Sequence, residues 1–152
     1  MLFLLFELDL ERYALDVACI VEVLPLVAIK KIPQAPSGVA GVFNCGGKPV
    51  PVIDLSELIL GRPARSRLST RIVIVHYADN GGTVNLLGLI AEKATETLRR
   101  APSDFQASGV VNGEAPYLGP ITHDARGLIQ WIEVNQLLPV PVRQLLFAQP
   151  VP

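Results

Sequence analysis

The sequence predicts an all-β protein made of two small barrels with a few short helices. Three observations favour this class: apolar segments of strand length, turn signals that separate these segments, and a weak internal duplication. The chain has 152 residues, of which 50% are apolar. This is about the size of one domain, and it is enough to form a sizeable hydrophobic core.

Strand patterns are present from the start of the chain. Residues 6–10 (FELDL) alternate between apolar and polar, as expected for a strand with one buried face. Residues 71–77 (RIVIVHY) form a β-branched run that predicts a strand buried on both faces. Clusters of Asp, Asn, Gly and Pro divide the chain into short segments typical of a barrel, at 9–12, 33–38, 44–47, 79–82, 112–114 and 124–127.

Helices are predicted at only two places, residues 55–60 and 134–138. Each follows an acidic residue, Asp54 or Glu133, and a negative charge at the start of a helix suits the helix dipole.

Two alignments within the chain indicate a duplication. Residues 52–59 align without gaps on 131–138, an offset of 131 − 52 = 79, and residues 14–24 align on 88–98, an offset of 88 − 14 = 74. The similar offsets favour two related half-domains. Chance similarity between apolar strands is the alternative, because few residues are identical.

Charge and cysteine content exclude several functions. Charged residues make up 18% of the chain, with 14 acidic and 13 basic residues, so no global field attracts nucleic acid or an anionic membrane. The apolar start at residues 1–6 lacks the basic flank of a signal peptide and is too short to span a bilayer. Cys19 and Cys45 have no zinc-site spacing and are interpreted as reduced thiols of a cytoplasmic protein. No cofactor or metal is expected.

The segment 41–55 (GVFNCGGKPVPVIDL) predicts a hairpin with a glycine turn. Pro49 and Pro51 lie two residues apart and remove hydrogen-bond donors from the same edge of a strand. Protection of an edge strand against aggregation is a sufficient explanation of these prolines. A further, functional interpretation is that the segment forms a rigid, protruding turn that a partner can contact.

Other candidate residues have ordinary interpretations. Glu22 is either a solvent-facing strand residue or a contact residue, and Cys19 is interpreted as packing. The basic cluster at 62–71, which contains four arginines, is read as a solvated, mobile loop in preference to a nucleic-acid site, because no aromatic residues are interleaved. His76 and His123 are assigned neither a metal nor a phosphotransfer role. Without a phosphate loop or a nucleophile motif, catalysis is not expected.

Two longer motifs are more specific. Residues 13–23 read YALDVACIVEV, and residues 32–55 read IPQAPSGVAGVFNCGGKPVPVIDL. These motifs resemble the signature of the CheW-like chemotaxis coupling proteins, which includes V-x-E and N-L-R-G elements. The matched positions are Tyr13, Leu15, Asp16, Val17, Ile20, Glu22, Val23, Ile32, Pro33, Pro36, Val39, Gly41, Val42, Asn44, Gly47 and residues 50–55.

The resemblance implies a fold, partners and contact residues. The fold would be two SH3-like five-stranded barrels on a shared core, the first at roughly 12–70 and the second at roughly 71–142, completed by the N-terminal strand, with a short tail at 143–152. The implied protein is a cytoplasmic adaptor that joins the cytoplasmic tip of a chemoreceptor to the regulatory domain of a CheA-type histidine kinase, with other CheW-like proteins as further candidate partners. The expected contact residues are Val17, Ile20, Glu22, Asn44, Gly46, Gly47 and Leu89, of which Val17, Ile20 and Leu89 would line an exposed groove between the barrels.

One departure from the family pattern concerns the turn at residues 44–47, where Gly46 replaces the usual arginine. Any contact through that guanidinium is absent, which favours a specialised adaptor of an alternative, non-flagellar pathway. Two alternatives stay open. One is a module of the kinase-regulatory type that binds only other copies of the fold, and the other is a small nucleic-acid-binding barrel.

Overall fold

Short strands dominate the computed structural model of the chain, which describes residues 1–78 and 82–147. The strands are β1 (Leu2–Leu8), β2 (Glu11–Asp16), β3 (Ile20–Pro25), β4 (Val39–Cys45), β5 (Lys48–Asp54), β6 (Arg71–Ala78), β7 (Val84–Ala91), β8 (Glu96–Arg99), β9 (Leu118–Asp124) and β10 (Gly127–Ile132). The helices are α1 (Leu55–Leu60) and α2 (Val140–Leu146), with 3₁₀ turns at Val17–Cys19, Pro102–Asp104 and Val134–Gln136.

The strands form two five-stranded sheets, which we call the first and second barrels. The first barrel has the order β3-β6-β7-β5-β4, and the second has the order β8-β1-β2-β10-β9. An isolated bridge joins the two edges of each sheet: Lys30 pairs with Val42 in the first barrel, and Gln106 pairs with Ile121 in the second. The predicted all-β class with two five-stranded barrels and short helices is confirmed.

The predicted division of the strands between the barrels needs correction. Strands β6 and β7, expected in the second barrel, pair with β3 and β5 in the first, and β2, expected in the first, pairs with β1 and β10 in the second. The cause is a parallel pairing in each barrel, between β5 and β7 and between β10 and β2. Parallel neighbours need not be close in sequence, so a boundary drawn along the chain misses them.

The strand registers establish the internal duplication. Val52 pairs with Gly88 in the first barrel, and Trp131 pairs with Ala14 in the second. These pairs are related by both offsets found in the sequence, since 131 − 52 = 79 and 88 − 14 = 74. The hairpins agree as well. Val42 pairs with Pro51 in the first barrel, and residues 121 and 130, each 79 positions later, pair in the second barrel.

The duplicated units are therefore β1 to β5 and β6 to β10, and they exchange strands. Each barrel contains three strands of one unit and two strands of the other. Neither unit contains a complete barrel, so the two units must fold together.

The exchanged strands hold the two barrels against each other. In β1, Phe3 and Leu5 enter the core of the second barrel, whereas Leu4 and Phe6 enter a core shared by both barrels. Strand β6 repeats this alternation with residues 72–77. Its predicted burial on both faces is confirmed except at His76, which is exposed.

The helices were partly predicted. Helix α1 lies at residues 55–60 as expected, and the Asp54 carboxylate caps it by accepting hydrogen bonds from the backbone N–H groups of Ser56 (3.0 Å) and Glu57 (3.3 Å). The second predicted helix, at 134–138, is a 3₁₀ turn at Val134–Gln136.

Helix α2 was not predicted. Pro139 and Pro141 lie at its N-terminal end, where a missing N–H is tolerated. The helix runs through the predicted domain end at 142, and Val142, Leu146 and Phe147 pack against the shared core. Residues 143–147 are therefore part of the fold, whereas 148–152 of the predicted tail lie outside the described residues.

Gly41 is required where the first barrel closes. Its φ is +145°, and a Cβ built there would lie 2.1 Å from the backbone oxygen of Lys30. We expect Gly41→Ala to lower the free energy of unfolding by roughly 3 kcal/mol, because neither the φ nor the backbone contact can relax cheaply. Gly46→Ala is the matched control: a Cβ there meets nothing within 4 Å, and it should cost only about 1 kcal/mol. Equal losses in urea unfolding would contradict the role of Gly41.

Candidate functional site

Glu22, His76 and the Gly46–Gly47 turn define what we call the first-barrel mouth. Other exposed residues of the second motif, Pro33, Gln34, Pro36 and Ser37, precede the opposite end of β4. Strand β3 carries Glu22 and is an edge strand with a neighbour, β6, on one side only. Val21 and Val23 flank Glu22 and are 48% and 36% exposed. The ladder shifts between Ile20 and Glu22, so β3 is bulged at Val21, and bulges protect an edge from uncontrolled pairing.

The Gly46–Gly47 turn is a tight two-residue connection between β4 and β5. Cys45 pairs with Lys48 across it, and both glycines have left-handed φ angles of +60° and +89°. The Asn44 Oδ1 atom accepts a hydrogen bond of 2.7 Å from the Gly47 N–H, which stabilises the turn. A β-carbon at either glycine would meet nothing within 4 Å, so the turn protrudes into open space.

The prolines of β5 act as expected from the sequence. Pro49 and Pro51 pair with β4, while the parallel ladder to β7 begins only at Val52. The strand end that carries the turn is thus held from one side, and the fixed φ of each proline limits its motion.

The remaining predicted contact residues do not all reach the surface. Val17 and Ile20 are half-buried and pack against the shared core. Leu89 is wrong as a contact residue, because it is 0% exposed in the middle of that core. Leu89 lies in the central, apolar part of β7, where both faces of the strand are buried.

Grooves lie at other positions. One, of about 730 Å³, lies between Leu58 of α1, Tyr117, the 3₁₀ turn at 134–136 and Arg143 of α2. Another, of about 510 Å³, is lined mainly by residues 108–118, and a smaller one, of about 360 Å³, is lined by Asp16, Cys19 and residues 131–136. The first groove was not predicted, because its walls come from segments distant in sequence and one wall is the unpredicted helix.

Cys19 has the character of a packed thiol. Its Sγ–H donates a hydrogen bond of 2.9 Å to the backbone oxygen of Asp16. Burial, with a further contribution from the nearby Asp16 charge, raises the pKa of Cys19 to about 11. The side chain is thus protonated at neutral pH, and a protonated thiol is a poor nucleophile.

The arginine-rich segment at 61–70 is anchored to the barrels. Arg62 donates hydrogen bonds to the carboxylates of Asp9 (2.7 Å) and Glu92 (3.1 Å), and the Arg65 N–H donates to Glu92 (2.8 Å). The Ala64 N–H donates to the second carboxylate oxygen of Asp54 (2.8 Å). The segment is therefore a fixed connection between the duplicated units and differs from the mobile loop that was predicted.

The described residues contain neither a metal-binding cluster nor a membrane-spanning helix. Residues 1–78 and 82–147 hold no group of three or more His, Cys, Asp or Glu side chains that could bind a metal ion. No helix in this part of the chain is long and apolar enough to cross a membrane.

The fold is that of a two-barrel β protein with an exposed edge strand and a protruding turn. Comparison with known proteins identifies the particular family. The family model described as CheW-like domain matches residues 2–141. The chain belongs to this family.

Individual relatives agree with this assignment. The chain is 26% identical to the chemotaxis protein CheW of Helicobacter pylori over 95 residues, which are 62% of this chain and 54% of the relative. The chain thus spans about half the length of that relative. It is 23% identical to the chemotaxis protein CheW of Treponema pallidum over 138 residues, covering 87% of this chain and 78% of the relative.

A solved structure shows the same fold. The scaffolding protein TtCheW from Thermoanaerobacter tengcongensis superposes with a TM-score of 0.79 at 27% identity, covering 93% of this chain and 89% of that chain.

Glu92 gives a pH-dependent prediction. Burial alone would raise its pKa, but hydrogen bonds from Arg62 and Arg65 outweigh burial and hold the pKa below its usual value. A lowered pKa in the folded state means that the Glu92 carboxylate stabilises the fold above the unfolded pKa, and that this contribution is lost as pH falls through the folded pKa. We expect Glu92→Gln to lower the free energy of unfolding by roughly 2 kcal/mol at pH 7.

The measurement is urea unfolding of the parent and Glu92→Gln between pH 7 and pH 3, with the exposed Glu11→Gln as control. The difference between parent and Glu92→Gln should be full at pH 7 and shrink at the acid end. A difference that stays constant over this range would show that the carboxylate charge is irrelevant.

Proposed function

We propose that the chain is a non-catalytic adaptor that couples chemoreceptors to a CheA-type sensor histidine kinase in a bacterial chemosensory pathway. The observation that carries this proposal is the position of its V-x-E and glycine-turn residues. Glu22, Asn44, Gly46 and Gly47 are exposed around one barrel mouth, although they come from separate elements. Around them, apolar side chains fill two barrel cores and the shared core.

Family membership supports the adaptor class. The relatives carry the names chemotaxis protein and scaffolding protein. The candidate partners are the cytoplasmic tip of a receptor and the regulatory domain of the kinase, and the location would be the cytoplasm at membrane-bound receptor arrays. Gly46 in place of the family's arginine favours an alternative, non-flagellar pathway.

Catalysis is not part of the proposal. The thiol of Cys19 has a raised pKa and donates a hydrogen bond to a backbone oxygen. The buried acids Asp54 and Glu92 are engaged by backbone N–H groups and by Arg62 in fixing the chain. These hydrogen bonds give Cys19, Asp54 and Glu92 structural roles.

The adaptor proposal predicts two separate binding events. The purified chain, immobilised, should retain both a receptor cytoplasmic tip and the regulatory domain of a CheA-type kinase from the same genome. Retention of the regulatory domain alone would support the alternative, a module that binds only copies of its own fold. Failure to bind either protein would refute the adaptor proposal.

Glu22→Arg tests the contact surface. We expect weaker binding of at least one partner by tenfold or more, whereas the melting temperature should hardly change, since an exposed substitution usually alters stability within about 0.5 kcal/mol. Glu11→Arg is the matched control, because Glu11 is also exposed and the change in net charge is the same. Loss of folding in Glu22→Arg, seen as a lowered melting temperature, would instead make Glu22 a structural residue.

A further inference from the structure

The second barrel has a network of ion pairs at its own mouth. Arg126, in the turn between β9 and β10, contacts Glu96 of β8 at 3.2 Å and Glu7 of β1 at 3.1 Å. Lys93 also contacts Glu7 at 3.2 Å. Glu7 and Glu96 are thus both paired with cations within the chain.

The duplication shows which residues of the first barrel occupy the same places. Glu96 pairs with Leu5 in the second barrel, and Glu22 pairs with Ile74 in the first, so Glu22 is the counterpart of Glu96. The offset is the one already established, since 96 − 22 = 74. Leu86 is the counterpart of Arg12, since 86 − 12 = 74. His76 pairs with Leu86 and Glu7 pairs with Arg12, so His76 is the counterpart of Glu7.

The turns correspond in the same way. Cys45 pairs with Lys48 across the first turn, and Asp124 pairs with Gly127 across the second. The offset of 79 then places Gly47 at the position of Arg126. A β-carbon at Gly46 or Gly47 would meet no atom within 4 Å, so the space that a guanidinium takes in the second barrel is open in the first.

The first-barrel mouth thus has the acid Glu22 but no cation at the position of Arg126, and the exposed Lys48 beside the turn makes no ion pair with Glu22 in the described residues. Lys93 has Cys19 as its counterpart, and the Arg12–Asp124 pair is replaced by Leu86 and Cys45, which pack against the apolar core of the first barrel. Among residues 1–78 and 82–147, the Glu22 side chain makes no hydrogen bond or ion pair. An exposed carboxylate remains between Val21 and Val23.

We propose that the protein partner of this chain places a lysine or arginine side chain between Glu22 and the Gly46–Gly47 turn, at the position that Arg126 takes in the second barrel. This inference rests on the proposed adaptor function and names the chemistry of the partner: a cationic side chain flanked by apolar ones, which would cover Val21 and Val23. Charge complementarity identifies the partner type, because the Glu22 carboxylate has no cationic partner among the described residues and lies between the exposed Val21 and Val23. Ion pairs at such positions select partners more than they add affinity.

The test restores the missing cation within the chain. Gly46→Arg is the variant of choice, since the φ of +60° at Gly46 suits a non-glycine residue better than the +89° at Gly47. We expect a crystal structure of this variant to show the new guanidinium within 4 Å of the Glu22 carboxylate. Gly46→Ala is the control, because it imposes the same backbone change without a charge.

Binding is then measured with the receptor tip and the kinase regulatory domain as probes. We expect Glu22→Gln and Gly46→Arg each to weaken binding of the same probe at least tenfold, and Gly46→Ala to stay within threefold of the parent. The double variant Glu22→Gln/Gly46→Arg should be no weaker than the single variants. A partner variant whose cationic residue is replaced by glutamine should bind the parent chain and Glu22→Gln equally well.

The outcomes separate the two proposals. If the parent binds neither probe, the adaptor function itself fails. If the parent binds but Glu22→Gln and Gly46→Arg bind as the parent does, the adaptor function stands and the proposed cation is refuted. Equal weakening by Gly46→Arg and Gly46→Ala would also refute it, because turn geometry would then explain the effect.

Discussion

The contact on which the molecule depends is the core that the two barrels share. Over residues 3–6 and 72–75, strands β1 and β6 send alternate side chains into this core and into the core of one barrel, so neither stretch has a polar face. Exposing one buried Phe or Leu costs about 1.5 to 3 kcal/mol, and separation of the barrels would expose many such residues at once. The barrels therefore act as one rigid body, and partners have to use the rims and mouths.

Strand exchange between the duplicated units strengthens this constraint. The segment from 61 to 70 is the chain's crossing from one unit to the next, and Asp54 and Glu92 hold it from the ends of two neighbouring strands, β5 and β7. A scaffold that arranges other proteins benefits from fixed distances between its contact surfaces. Here the shared core and this anchored crossing set the distance between the two barrel mouths.

The sequence predicted those features that depend on local pattern. The strand run at 71–77, the cap of Asp54 on α1 and the glycine turn at 46–47 each follow from spacing of a few residues. The division of strands between barrels could not be predicted in the same way, because parallel pairing joins residues far apart. Leu89 was misplaced since an apolar strand pattern cannot separate a groove wall from a core shared by two sheets.

The duplication makes the candidate site interpretable without a bound partner. Two mouths built on the same registers have diverged: one has closed its charges into ion pairs through Arg126, and the other has Gly47 at that position while keeping Glu22. An exposed charge on the edge strand β3 also protects that edge from pairing, so it is the missing internal cation that points to a partner. A carboxylate kept without an internal partner, beside a turn stiffened by Asn44 and prolines, is better explained by a contact made in the assembled complex.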